Sequence, residues 1–144
     1  MLGELNRTEI DDVLHANVIG RIGCHAFGRT YVVPITYAYD GRAIYARSEE
    51  GMKLHMMREN PHVCFEVDAM DGMANWKSVI AAGVFHELHG DEAQERLNWL
   101  VSELSCRLEG PPGETVHPID AAADSGVVYK IVLEECAGRF ERRA

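Results

Sequence analysis

Two runs of strand-forming residues, Thr30 to Tyr39 (TYVVPITYAY) and Ala43 to Ala46, flank the dipeptide Asp40-Gly41. Asp-Gly between such runs predicts a tight hairpin, which makes the strands it joins antiparallel neighbours. Pro34 lies inside the first run. A proline cannot donate to a sheet ladder, so this position predicts an edge, a bulge, or a place where something other than a strand packs.

The rest of the chain extends the same pattern. Thr8 to His15 places Ile10, Val13 and Leu14 on one helical face behind a threonine cap. Val18 to Cys24 reads as a strand. Gly51 to Glu59 reads as a helix ended by Asn60-Pro61, with Met52, Met56 and Met57 expected in the core or at a dimer contact. His62 to Asp68 alternates like a half-buried strand, Ala69 to Asn75 reads as a loop, and Trp76 to Leu88 as a long strand. Asp91 to Arg107 is the clearest helix, Glu109 to Glu114 is a loop, Val127 to Leu133 is the last strand, and a short tail ends in Gly138-Arg139-Phe140-Glu141. Six strands with hairpin connections and few helices predict a mainly β fold, an antiparallel barrel with flanking helices. The length of 144 residues fits one domain over 1–144.

Several functions are disfavoured. The net charge of −9 argues against a nucleic-acid binder and against docking on an anionic membrane. No run of about 18 apolar residues is present, and the first residues do not resemble a signal peptide, so the expected location is the cytoplasm. The four cysteines, Cys24, Cys64, Cys106 and Cys136, form no Cys-x-x-Cys pair. Cys24 and Cys64 are expected as small buried strand residues. His86-Glu87-Leu88-His89 falls at a strand end, where its histidines point to opposite faces, so no metal site is expected. The glycine-rich dinucleotide and triphosphate loops are absent.

Three segments are candidates for chemistry. Arg47-Ser48 ends a strand just before the helix that opens at Gly51-Met52-Lys53. A helix start offers unpaired N–H groups and a positive dipole end, and Arg47, Ser48 and Lys53 add two cations and a hydroxyl, a set suited to a phosphate monoester. The same residues also fit a capped helix with solvated charges, because Glu49 and Glu50 oppose an anion. Trp76-Lys77-Ser78 opens the long strand and fits either a site or an ordinary strand start. Pro34 frees part of its strand, so the backbone of Val32 to Thr36 can face a planar heterocycle.

The ordered set Ile19-Gly20-Arg21-Ile22-Gly23-Cys24, Tyr31-Val32-Val33-Pro34-Ile35-Thr36-Tyr37, Ile44-Tyr45-Ala46-Arg47-Ser48, Gly51-Met52-Lys53-Leu54, Asn60 to Asp68, Trp76 to Ile80 with Gly83, and Gly138 to Glu141 resembles the flavin-binding split-barrel family of pyridoxamine 5′-phosphate oxidase-like proteins. The resemblance is to the subgroup that includes nitroimidazole-resistance proteins. It implies a six-stranded antiparallel split barrel that forms a homodimer and holds FMN at the subunit interface. Carried over by position, Arg47, Ser48 and Lys53 would hold the phosphate, the backbone of Val33, Pro34, Ile35 and Thr36 would face the isoalloxazine ring, and Trp76, Lys77 and Ser78 would line the site from either subunit. It implies an FMN-dependent oxidoreductase acting on a small, for instance nitroaromatic, molecule. A non-catalytic flavin module, or a split barrel using haem or deazaflavin, are the alternatives. Met52-Lys53 stands where pyridoxamine phosphate oxidases carry an Arg-Lys pair, and their C-terminal arginine segment has no counterpart here, so pyridoxamine phosphate is not the expected substrate. No residue is expected to act as nucleophile, because the flavin carries the redox chemistry.

The acidic excess is localised. Residues 91–124 hold eight acids and two bases, net −6, whereas residues 42–77 hold six acids and five bases, net −1. The candidate phosphate site is therefore locally near neutral.

Overall fold

A computed structural model of the chain describes residues 1–107 and 126–143. The element order is β1 (Leu2–Glu4), α1 (Arg7–Ala16), β2 (Ile19–Ala26), β3 (Arg29–Thr36), β4 (Ala38–Tyr39), β5 (Ala43–Ser48), α2 (Met52–Glu59), β6 (His62–Gly72), β7 (Asn75–Glu87), α3 (Gly90–Arg107) and β8 (Val127–Glu141). Every strand pairing is antiparallel, in the order β3-β2-β6-β7-β8-β5-β4, with β1 added to β8. The mainly β antiparallel barrel with flanking helices is as expected, and the expected loop Glu109 to Glu114 lies outside the described residues.

Several details differ from the sequence reading. The first helix is capped by Asn6, not Thr8, because it opens at Arg7 and Thr8 falls inside it. The run Thr30 to Tyr39 is two strands, not one: β3 pairs with β2 and β4 with β5, at opposite ends of the sheet path. Tyr37 alone separates them, so the barrel closes there. Its N–H donates to the Val18 carbonyl (2.8 Å) and its buried hydroxyl to the Leu14 carbonyl (2.8 Å), fixing the corner. The expected loop Ala69 to Asn75 is mostly strand, because β6 and β7 stay paired up to Gly72 and Asn75 and leave only a two-residue turn. The expected tail after Leu133 continues β8, which finds backbone partners in β7 and β1. Last, β1 is a short strand that sequence pattern does not mark.

Strand alternation divides the residues between two faces. The inner face carries Ile22, Phe65, Val67, Val79, Tyr129, Ile131 and Ile44, joined by Ile10, Val13 and Leu14 of α1 and Leu54, Met56 and Met57 of α2, in one core cluster. Met52, by contrast, is exposed. α3 covers part of the outer face, where Leu100 and Leu104 pack with Ala43, Tyr45 and Val128. No described helix covers the outer face of β3-β2-β6-β7. Val32, Gly23, Cys64 and Ala82 form one row of it, and Pro34, Arg21, Glu66 and Ile80 the next. Ile80 is 58% exposed and Val32 64%. This face corrects the expectation for Cys64: it points outward and is exposed, while Cys24, on an inward position, is buried.

Pro34 takes the edge position its chemistry requires. It pairs with Arg21 on one side, and the other side of β3 has no strand. The Asp40-Gly41 turn also forms: Gly41 has φ 99°, and the Asp40 Oδ1 accepts from the N–H groups of Arg42 (2.9 Å) and Ala43 (2.8 Å).

Candidate functional site

The first candidate set lies where β5 runs into α2. The half-buried Arg47 side chain lies over Gly126, where any side chain would occupy the space of the guanidinium. Arg47 thus sets a cation at the strand end, and a side chain at position 126 would displace its guanidinium. The Ser48 hydroxyl donates to the Glu49 carbonyl (2.9 Å). Gly51 is the N-cap of α2, in an extended conformation, with no side-chain cap bond, and the first turn holds no acid. The N–H groups of that turn are therefore left to solvent or to a ligand.

Lys53 follows on the second helical position and is half-buried. Among the described residues no carboxylate lies within ion-pair distance of it. Burial pushes its pKa down, and the neighbouring Cys24 acts weakly in the opposite sense. A half-buried ammonium with no counter-ion is costly in isolation, and a bound anion removes that cost.

The acids that seemed to oppose an anion are partly accounted for. Glu50 is gripped by both terminal nitrogens of Arg58 (2.8 and 2.7 Å), whose Nε also donates to Glu87 (2.7 Å). The hydrogen bond from Arg58 lowers the Glu50 pKa, keeping it an ion whose charge is neutralised locally. Arg58 was not among the sequence candidates, since no local spacing rule connects it to Glu50 across a loop and a helix.

The second set lies on β3. Val33 and Thr36 are half-buried, Ile35 is buried and Pro34 exposed. β3 is an edge, so part of its backbone N–H and C=O groups face away from β2. α2 packs against β2, and β3 comes into contact with β5. The structure thus places Val33 to Thr36 on an element adjoining those that carry Arg47, Ser48 and Lys53.

The third set stands apart within one chain. Trp76, Lys77 and Ser78 are half-buried at the start of β7, opposite Glu141, Phe140 and Arg139. The indole N–H donates to the Glu141 carboxylate (3.0 Å). Lys53 neighbours Cys24, adjacent to the row Gly23-Cys64-Ala82, and Trp76 is six residues along β7 from that row, roughly 20 Å at about 3.3 Å per residue. Trp76 and Lys77 instead line a cleft of about 410 Å³ with Asp12, Val13, Asn17 and Asp71. Ser78 and Thr36 occupy the same level of the sheet, three strands apart.

The Tyr129 hydroxyl is buried in the barrel without a hydrogen-bond partner among the described residues, and burial pushes its pKa up. No group of three or more potential metal ligands occurs among the described residues, and no described helix is long and apolar enough to cross a membrane.

Residues 6–140 match the family model described as pyridoxamine 5′-phosphate oxidase. An uncharacterized protein of Rhizobium meliloti is 30% identical over 139 residues, covering 94% of this chain and 92% of that protein. A crystal structure of a protein from Mesorhizobium loti, named FAD-binding, superposes with a TM-score of 0.78 at 30% identity, covering 99% of this chain and 98% of the other. A candidate 5-nitroimidazole antibiotic resistance protein from Bacteroides thetaiotaomicron gives 0.72 at 16% identity, over 97% and 87%, a likeness of fold. With 135 of its positions spanned by the family model and its strand order closing the same barrel, the chain belongs to the pyridoxamine 5′-phosphate oxidase family of split-barrel proteins.

Proposed function

We propose that the chain is a homodimeric flavoprotein that binds the phosphate of FMN at the start of α2 and serves as an oxidoreductase for a small molecule. The observation that carries this reading is Lys53, a half-buried cation with no counter-ion among the described residues, at a helix start without a side-chain cap. A flavin phosphate carries roughly −1.5 to −2 charges. Lys53, Arg47, the Ser48 hydroxyl and the N–H groups of the first turn of α2 are the donors that would meet it. The name of the Mesorhizobium loti structure supports a flavin as the ligand. FAD contains the same mononucleotide, and that name makes it the second reading.

The uncovered outer face of β3-β2-β6-β7 supports the dimer. On it Val32, Cys64, Ala82 and Ile80 are small or apolar and exposed, Gly23 is half-buried, and the charges of Arg21 and Glu66 pair with each other (3.2 Å), a composition that another chain can cover. In a dimer through this face, Trp76, Lys77 and Ser78 of the partner subunit would approach Val33 to Thr36, uniting sets that one chain holds apart. The edge backbone of β3 would hydrogen-bond the ring, and the covering partner would exclude water from one ring face. The flavin supplies hydride transfer to an acceptor at its open face. A planar, electron-poor molecule such as a nitroaromatic is the acceptor class we assign, and the cytoplasm is the compartment.

Absorption spectroscopy of the purified protein, followed by chromatography of ligand released on denaturation, tests this directly. The expected result is a yellow protein that releases flavin. Colourless protein that takes up neither FMN nor FAD overturns the reading. Light scattering should give twice the mass of one chain, and a monomer that binds flavin with full affinity overturns the shared site.

A further inference from the structure

Glu50 directly precedes Gly51, the N-cap of α2, and Gly51 has no side chain to offer the first turn. A carboxylate at this place is drawn to the positive end of the helix dipole and to Lys53. It also competes with any external anion at high effective concentration, because the chain already keeps it near. Yet no side chain bonds the first turn.

The carboxylate is held elsewhere. Arg58, in the last turn of α2, takes both of its oxygens, Nη1 on Oε2 (2.8 Å) and Nη2 on Oε1 (2.7 Å). The Arg58 Nε donates to Glu87 at the end of β7 (2.7 Å), so the guanidinium is fixed to the sheet as well. Arg58 stands roughly 10 Å along the helix axis from Gly51, and meeting it draws the Glu50 carboxylate along the flank of α2. A single exposed ion pair contributes little stability, but a two-pronged grip by a guanidinium held at both edges fixes where a carboxylate sits.

We propose that Arg58 is a positioning residue of the phosphate site: it keeps Glu50 off the first turn of α2, and without it Glu50 would take the place of the flavin phosphate. The inference rests on the flavin reading above for the identity of the anion. Arg58 itself does not touch the phosphate; it acts through Glu50.

The test titrates wild type, Arg58→Gln, Glu50→Gln and the double variant with FMN and with riboflavin, followed by flavin fluorescence. Arg58→Gln is expected to weaken FMN about fivefold and to leave riboflavin, which lacks the phosphate, within about twofold. Glu50→Gln should leave FMN within about twofold of wild type, and the double variant should recover wild-type affinity, a coupling that two independent charges do not give. Additive effects, in which Glu50→Gln tightens FMN as much as Arg58→Gln weakens it, overturn the proposal, and so does an equal loss of FMN and riboflavin. Should Arg58→Gln fail to fold, Glu50→Gln decides alone: unchanged FMN affinity supports the positioning role, and severalfold tightening overturns it. NMR titration of Lys53 in flavin-free protein separates this proposal from the flavin reading. Burial holds the Lys53 pKa below its ordinary value; Arg58→Gln should raise it as the released Glu50 pairs with the ammonium, and the double variant should not. Wild type that binds no flavin overturns the flavin reading, whereas a Lys53 unmoved in Arg58→Gln overturns the role of Arg58.

Discussion

Helices α1 and α2 begin in opposite ways. At α1, Asn6 and Glu9 form a reciprocal capping box: the Glu9 N–H donates to the Asn6 side chain (2.9 Å), and the Asn6 N–H donates to the Glu9 carboxylate (3.1 Å). The same Glu9 is the acid of the first turn and complements the positive end of the dipole. At α2, the cap is Gly51, no side chain bonds the first turn, no acid is present, and Lys53 adds positive charge where the dipole is already positive. The α1 start satisfies itself and contributes stability. The α2 start gives up that stability, a choice that makes physical sense when an anion completes it.

This difference is open to attack at both ends. Lys53→Ala is expected to have the largest effect, weakening flavin binding at least tenfold in a fluorescence titration, since a hydrogen bond to a charged group contributes about 1.5–3 kcal/mol. Lys53→Arg should keep most of the affinity. Next comes Asn6→Ala, expected to cost about 1 kcal/mol of stability and to lower Tm by a few degrees, with flavin affinity unchanged. Equal losses of flavin affinity in Asn6→Ala and Lys53→Ala would erase the functional distinction between the two helix starts. Gly51→Asp sharpens the comparison by moving two quantities in opposite directions. The new cap should stabilise flavin-free protein by about a few tenths of a kcal/mol, raising its Tm slightly, while its charge weakens flavin binding severalfold. The extended backbone at Gly51 accepts a side chain, and the nearest atom to its Cβ would be the Glu49 carbonyl oxygen at 4.0 Å.

The smallest effect is in pH. Burial places the Lys53 pKa below its ordinary 10.5. Between the lowered value and 10.5 the unfolded chain holds the proton and the folded chain releases it, so flavin-free stability should rise with pH across that window. Phosphate affinity should fall across the same window as the ammonium is lost. Lys53→Arg should abolish both trends, which equilibrium unfolding and titration at stepped pH would show.

The sequence made the α2 site partly legible for the reason that the comparison turns on. Arg47, Ser48, Gly51 and Lys53 lie within seven residues, so chain connectivity alone keeps them close. The neutralisation of Glu50 was not legible, because Arg58 stands eight residues on, in the last turn of α2, beyond the i,i+4 spacing that marks helical ion pairs. Trp76 to Ser78 were legible as a segment but not as a location, since strand pairing sets them far along β7 from Lys53. Among the strands, alternation revealed β2, β5, β6 and β7. It missed the break at Tyr37 because both halves of that run favour strand, and what changes is the partner. It missed the later part of β8 because Glu134 to Gly138 lack alternation and are held by backbone bonds to neighbours. Cys64 was misassigned for a related reason: alternation shows that a strand has two faces, and tertiary packing decides which is covered.

The long strand β8 has a consequence for how the chain comes to be folded. It is the shared neighbour of β1, β5 and β7, and it pairs Leu2 with Glu141 across nearly the whole sequence. Such distant pairings slow folding, since a large loop must close before any of them forms. A nascent chain that has emerged through β7 but not β8 exposes open ladders on β5 and β7, which are adhesive toward other copies. The time between synthesis of β7 and docking of β8 is then the interval in which this protein most needs protection from aggregation.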